Sequence, residues 1–190
     1  MKLLGIAGSL RAGSYNRALL RAAGELAPGW MEIEEWDIGV LPLFDADLEA
    51  DGDPEPVAAF KRAVGEADAL LIATPEYNRG LPGVLKNAVD WASRPALGSP
   101  LAGKLVGVMG ASTGMSGTAH AQEQLRQALA FPRAHVLAEP RVLVPLAYDR
   151  FDEHGRLDDL HARDAVRALL DALALEGTPE DVAERALVAG

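Results

Sequence analysis

The sequence predicts an α/β fold in which helices cover both faces of a parallel sheet. Short apolar segments alternate along the chain with longer segments of helical periodicity, and the connections between them are short. No internal repeat interrupts this alternation. A chain of 190 residues, 49% of them hydrophobic, is long enough to bury a sizeable core, so we expect residues 1–190 to form a single domain.

Five strands are predicted from the apolar segments. Asp68–Thr74 is the clearest, because a near-continuous apolar run is typical of a strand that is buried on both faces. The fifth strand is expected to be broken around Pro140. In chain order, the predicted strands are Lys2–Ala7, Met31–Trp36, Asp68–Thr74, Lys104–Met109 and the broken pair His135–Ala138 and Arg141–Val144.

Five helices are predicted between and after these strands. Ser14 can cap the first helix, and Pro82 lies in the first turn of the third, where proline is tolerated. The predicted helices are Ser14–Ala27, Val57–Gly65, Leu81–Ala92, Thr118–Ala130 and Leu157–Leu175. A further short helix is expected from Thr178, so that residues from about 176 to 190 form a helical extension.

Five parallel strands favour the flavodoxin-like strand order 2-1-3-4-5. This fold is a three-layer sandwich whose ligand binds where the strand order reverses, between strands 1 and 3. Two polar loops, Gly8–Asn16 and Pro75–Gly80, follow these two strands. Because parallel strands end at the same edge of a sheet, both loops are expected to contribute to one site.

The loop Gly8–Asn16 has the composition of a phosphate-binding loop. Backbone N–H groups and the positive end of the following helix attract an anion, and an arginine can donate two hydrogen bonds to it. The glycine spacing matches neither a nucleoside-triphosphate P-loop nor a dinucleotide-binding motif. We therefore predict a site for a phosphate monoester, held by Ser9, Arg11, Ser14 and Asn16. The alternative is that Ser14 only caps a helix and that Arg11 is a solvated surface side chain.

Charge and composition argue against several other functions. With 28 acidic and 18 basic residues, the chain has a net charge of −10, which argues against nucleic acid or an anionic membrane as the main partner. The absence of cysteine excludes disulfides, thiolate metal sites and cysteine nucleophiles, and the four histidines lack the spacing of metal ligands. No apolar segment is long enough to span a bilayer and no signal peptide precedes the first strand, so a cytoplasmic location is expected.

Two motifs resemble those of the NADPH-dependent FMN reductases, a family that includes chromate, quinone and azo-dye reductases. The first is Gly-Ser-Leu-Arg-x-x-Ser-x-Asn at residues 8–16, and the second is Pro-Glu-Tyr-Asn-Arg at residues 75–79 with its continuation to Trp91. Shorter segments, such as Pro42–Asp47 and Gln124–Gln127, extend the likeness to about Leu175. The resemblance implies noncovalently bound FMN, with NADPH or NADH as the hydride donor.

The resemblance also implies which residues meet the cofactor. Because FMN performs the hydride chemistry, no catalytic acid or base is expected in the protein. The phosphate and ribityl chain would be held by Ser9, Arg11, Ser14, Tyr15 and Asn16. The flavin ring would meet Pro75, Glu76, Tyr77 and Asn78, with Ser112 closing the site from the loop after the fourth strand.

The expected function is electron transfer from NAD(P)H through FMN to a small acceptor such as a quinone, an azo compound, free flavin or chromate. A site at a sheet edge is open on one side, so a homodimer or homotetramer, usual in the family, is expected to supply the missing wall. One alternative is a flavodoxin-like electron carrier that docks on protein partners; another is a flavin-free regulatory domain of the same fold. The chain departs from the family pattern at Gly80 and at Gly117–His120, near the expected nicotinamide side.

Overall fold

A parallel sheet forms the centre of the fold. The computed structural model describes residues 1–95 and 98–177, and within these residues the sheet has six strands. Their order is β2-β1-β3-β4-β5, and β6 also pairs with β4. The strands are β1 (Lys2–Ala7), β2 (Glu32–Trp36), β3 (Ala69–Ala73), β4 (Leu105–Ala111), β5 (His135–Val136) and β6 (Val142–Val144).

Helices cover both faces of this sheet, as the sequence predicts. Successive residues of a strand point to opposite faces, so Leu71 belongs to one apolar core while Leu70 and Ile72 belong to the other. The first core is completed by α1 and α6, and the second by α3, α4 and α5. The helices are α1 (Tyr15–Leu26), α2 (Ala46–Ala50), α3 (Glu55–Glu66), α4 (Gly83–Ala92), α5 (Ala119–Ala130) and α6 (Leu160–Glu176).

The predicted strand order is confirmed, including the break in the fifth strand. β5 pairs with the start of β4 and β6 pairs with its end, so the two segments continue one another along the same neighbour. The short helix α2 was not predicted; Asp45 begins it by accepting a hydrogen bond from the Asp47 N–H group. The helix expected from Thr178 and most of the expected extension lie outside the described residues. Among the described residues, no helix has the length and apolar character required to cross a membrane.

A buried asparagine joins the first turn of α1 to the end of β4. The Asn16 side-chain amide donates to the carbonyl oxygen of Ala111 at 2.9 Å, and its oxygen accepts from the Ala111 N–H group at 2.9 Å. The Asn16 side chain therefore binds the backbone of Ala111 through both of its polar atoms. These two hydrogen bonds hold the loop after β1 against β4, although β3 lies between β1 and β4 in the sheet.

A glycine near the end of β4 allows three segments to meet closely. A Cβ atom on Gly110 would lie 2.1 Å from Thr118 Oγ1 and 2.5 Å from the carbonyl oxygen of Thr74. Thr74 follows β3, and Thr118 precedes α5. The absence of a side chain at Gly110 is thus what brings the ends of β3 and β4 and the start of α5 together.

Replacing Gly110 by alanine is expected to lower the free energy of unfolding by about 3 kcal/mol, since one of the two clashing atoms is backbone and cannot rotate away. Gly24→Ala is the matched control, because its Cβ would meet nothing within 4 Å. Gly24 lies on the exposed face of α1, where alanine should raise the stability by about 0.5–1 kcal/mol. Urea unfolding of both variants without added ligand measures the effects, and an unchanged midpoint for Gly110→Ala would contradict the packing described.

Candidate functional site

A cleft opens at the carboxyl edge of the sheet, where the loops after β1, β3 and β4 meet. Its volume is about 470 Å³ including its open mouth. Nine of the ten predicted site residues line it, and Asn78 does not. The lining residues are Ser9, Arg11, Ser14, Tyr15, Asn16, Pro75, Glu76, Tyr77, Ala111, Ser112 and Thr113, of which Ala111 and Thr113 were not predicted.

The β1 loop (residues 8–14) ends in a serine that begins helix α1. Ser14 Oγ accepts hydrogen bonds from the N–H groups of Asn16 at 3.2 Å and Arg17 at 3.5 Å. Ser14 is therefore the N-cap of α1, which is the role that the alternative interpretation of this loop gave it. Since these bonds use only the acceptor side of the hydroxyl, its proton remains available to a ligand in the cleft.

Two arginines near this loop have different electrostatic surroundings. Arg17 is partly neutralised: it lies 3.4 Å from Asp37 and 3.6 Å from Glu35, and its Nε donates to the carbonyl oxygen of Ser9. Arg11 is exposed, and its guanidinium group has no hydrogen-bond or ion-pair partner among residues 1–95 and 98–177. Arg11 is thus the cation on the cleft wall that is available to an anion.

The β3 loop (residues 74–82) is shaped by a tight turn at its tip. Tyr77 and Gly80 exchange backbone hydrogen bonds of 3.1 and 2.9 Å, and the two residues between them, Asn78 and Arg79, have φ values of 52° and 60°. Two central residues with positive φ characterise a type I′ turn, and asparagine tolerates this conformation better than most residues. The turn directs Asn78 away from the cleft wall, where the Tyr77 hydroxyl lies 3.4 Å from Ser9 Oγ.

Glu76 lines the cleft, but its carboxylate is bound to the start of α5. One oxygen accepts from the N–H groups of His120 at 2.9 Å and Ala121 at 3.2 Å, and the other accepts from Ser116 Oγ at 2.9 Å. His120 Nδ1 lies 3.2 Å from that second oxygen. Burial alone would raise the pKa of Glu76, but the hydrogen bonds from Ala121, Ser116 and His120 outweigh it and lower the pKa below its usual range. Glu76 is therefore an ionised carboxylate.

The β4 loop (residues 112–118) is held by a hydrogen bond within the loop, by the last residue of β6 and by the segment after β6. The Ser112 N–H group donates to the carbonyl oxygen of Val144 at 3.0 Å, and Ser112 Oγ accepts from the Gly114 N–H group at 3.1 Å. The Ala147 N–H group donates to the Ser112 carbonyl oxygen at 2.9 Å. Ser112 thus fixes the position of the neighbouring cleft residue, Thr113.

The donor set of the cleft fits a flavin mononucleotide. Near the start of α1 it offers the Ser9 and Ser14 hydroxyls, the unpaired Arg11 and the helix N-terminus, which together suit a phosphate group. Elsewhere on the wall, the N–H groups of Glu76 and Thr113 donate to no described residue, and such free donors suit the polar edge of a flavin. Among the described residues that line the cleft, Glu76 alone is acidic, and its carboxylate is already hydrogen-bonded.

Comparison with known proteins identifies the family. The family model of the NADPH-dependent FMN reductases matches residues 1–149. An NAD(P)H-dependent FMN reductase of Pseudomonas aeruginosa is 50% identical over 175 residues, covering 92% of this chain and 94% of the relative. A 2-hydroxy-1,4-benzoquinone reductase of Burkholderia sp. is 40% identical over 174 residues, covering 92% and 94%.

A solved structure agrees with these relatives. The flavoenzyme NAD(P)H:(acceptor) oxidoreductase of Paracoccus denitrificans superimposes with a TM-score of 0.84 at 32% identity, covering 97% of this chain and 98% of that one. The flavodoxin-like fold expected from the strand order is thereby confirmed, as is the resemblance seen in the two loop motifs. The chain belongs to the NADPH-dependent FMN reductase family and is an FMN-dependent oxidoreductase that takes its electrons from NAD(P)H.

Proposed function

We propose that the chain passes electrons from NAD(P)H, through FMN bound in the cleft, to a quinone. The observation that carries this proposal is the cleft itself, which has an unpaired cation near the start of α1, free backbone donors elsewhere on its wall and an open mouth. A quinone is a small planar acceptor that such a mouth can admit. The benzoquinone reductase among the relatives supports this choice of acceptor.

The phosphate of FMN would be held at the start of α1. Arg11 would donate charge-assisted hydrogen bonds, Ser9 and Ser14 would donate their hydroxyl protons, and Tyr15 would lie beside the ribityl chain. Asn16 supports this end indirectly, because its amide already binds the backbone of Ala111. The sequence predicts that Asn16 contacts the phosphate directly. We propose instead that Asn16 holds the β1 loop in place.

The flavin ring would lie against the β3 and β4 loops. Pro75 and Tyr77 would contact it, and the free N–H groups of Glu76 and Thr113 would donate to its polar edge. When bound, FMN would supply the redox chemistry between NAD(P)H and the acceptor, while the residues of the cleft would bind and orient it. Fixed backbone donors stabilise the negative charge of a reduced ring without having to reorganise. Asn78 would act through the turn that it forms, and Ser112 through the loop that it fixes.

We propose further that a second copy of the chain covers the open side of the cleft. Large apolar side chains are exposed beside the mouth: Leu10 and Tyr77 are each 51% exposed, and Met115 is 78% exposed. Burial of such side chains favours association. The homodimer or homotetramer expected from the family would cover them, and the cytoplasmic location stays a prediction.

Arg11→Ala is expected to raise the Kd for FMN by roughly 10- to 150-fold, because charge-assisted hydrogen bonds to the phosphate are lost. Riboflavin, which has no phosphate, should bind both proteins with similar affinity. Quenching of flavin fluorescence measures both constants. Arg62→Ala removes an exposed arginine from α3, away from the cleft, and should leave both constants unchanged. An equal loss of affinity for FMN and riboflavin in Arg11→Ala would contradict the phosphate assignment.

The holoprotein is expected to lose its visible flavin absorption when NADPH is added without oxygen, and to regain it when 1,4-benzoquinone follows. The spectrum recorded after each addition checks both half-reactions. Flavin that is bleached by NADPH but stays bleached with the quinone would mean that the acceptor belongs to another class. Flavin that stays oxidised with both NADPH and NADH would leave the electron-carrier alternative standing.

Light scattering after size-exclusion chromatography is expected to give two or four times the 20.1 kDa mass of one chain. The association should persist after FMN is removed, since it is proposed to depend on apolar contacts of the protein. A single-chain mass for the holoprotein would contradict the proposed covering of the cleft.

A further inference from the structure

We propose that Glu76 is a positioning residue, whose carboxylate sets the shape of the flavin site by holding the β3 loop on the first turn of α5. This inference rests on the proposed function, because it assumes that the β3 loop contacts the flavin. It gives the Glu76 side chain a role separate from the contact that the Glu76 N–H group would make with the ring. The carboxylate acts through the loop that carries it.

The carboxylate substitutes for a cap that α5 lacks. Thr118 precedes α5 with a left-handed φ of 78°, and its side chain makes no capping bond to the helix backbone. Thr118 Oγ1 instead accepts a hydrogen bond from the side chain of Gln122. The N–H groups of His120 and Ala121 would otherwise lack partners, and Glu76 accepts from both of them. A residue 44 positions earlier in the chain thus caps the helix.

A second contact holds the other end of the β3 loop to the same helix. The Leu81 N–H group donates to Gln124 Oε1 at 2.9 Å. Glu76 and Leu81 bracket the type I′ turn, so the turn is bound to α5 on both sides. Because α5 is a 12-residue helix packed into the core through Leu125 and Leu129, it is a rigid support for this turn.

Ser116 joins the β4 loop to the carboxylate of Glu76. Its hydroxyl donates to Glu76 at 2.9 Å, so the β3 and β4 loops share one charged group. The side chain of Glu76 is only 8% exposed, and a buried charge that loses its hydrogen bonds is costly. Movement of either loop away from the other would break these bonds. The separation of the two loops that bear the free N–H groups of Glu76 and Thr113 is thereby fixed.

Glu76→Gln tests this role, because glutamine keeps the size of the side chain but removes the charge and turns one acceptor into a donor. We expect the Kd of the apoprotein for FMN to rise at least tenfold. The visible absorption band of the flavin that still binds should shift towards that of free flavin. Faster hydrogen exchange of the backbone amides between residues 76 and 81 should accompany the weaker binding.

Asp159→Asn is the matched control for loss of charge on a helix-capping carboxylate, because asparagine can keep the cap but loses the ion pair with Arg150 at 2.7 Å. Asp159 caps α6 by accepting from the Ala162 N–H group at 2.8 Å, and it does not line the cleft. Both Asp159→Asn and Glu76→Gln should lose thermal stability. The Kd of Asp159→Asn for FMN, however, should stay within twofold of the wild-type value. If Glu76→Gln also loses stability but keeps the wild-type Kd and absorption band, Glu76 is only a cap and the inference is overturned.

Ser116→Ala decides the question if Glu76→Gln does not fold. It removes one of the hydrogen bonds to the carboxylate and should raise the Kd for FMN about threefold, whereas an unchanged Kd would overturn the inference. The wild-type titration separates this inference from the proposed function. Failure of the wild-type apoprotein to bind FMN would remove the proposed site, and with it the inference, whereas normal binding by every variant would remove the inference alone.

Discussion

The site depends on three neighbouring parallel strands whose carboxyl ends lie at the same edge of the sheet. Ala7 of β1 pairs with Ala73 of β3, and Ala73 pairs with Met109 of β4. In a parallel sheet this register places the three following loops side by side, where one ligand can contact all of them. A shift of one residue in any strand would move its loop and also exchange the two apolar cores, because successive residues face opposite sides. The two cores therefore determine where the loops meet.

The placement of charge follows from the same arrangement. The chain has an excess of acidic residues, yet the one carboxylate on the cleft wall is bound by Ser116 and by the start of α5. Arg17 is partly neutralised by Glu35 and Asp37, whereas the Arg11 guanidinium group beside the start of α1 is unpaired. An anionic ligand at the start of α1 thus meets an unpaired guanidinium group on a protein that is negative overall. Binding an anion there requires no existing ion pair to be broken.

Much of the fold and of the site's location could be predicted from the sequence, because apolar periodicity and loop composition are local signals. The contacts that organise the site are not local. Asn16 binds Ala111 across 95 positions, and Glu76 binds His120 across 44, so both side chains resemble ligand contacts when only their own motifs are considered. The motif that predicts a flavin contact for Asn78 does not reveal the φ angles of the turn, in which Asn78 is not among the residues that line the cleft. Helix α2 is only five residues long, too short for a periodic signal.

The contact between Glu76 and α5 also bears on how the site can form during synthesis on the ribosome. Asn16 and Glu76 each lie in one of the two loop motifs, and both bind partners that are made later. Asn16 needs Ala111, and Glu76 needs the backbone as far as Ala121. A nascent chain that has not reached this point contains both recognition loops without their supports. The contacts that support both loops can therefore form only after more than half of the polypeptide has been made.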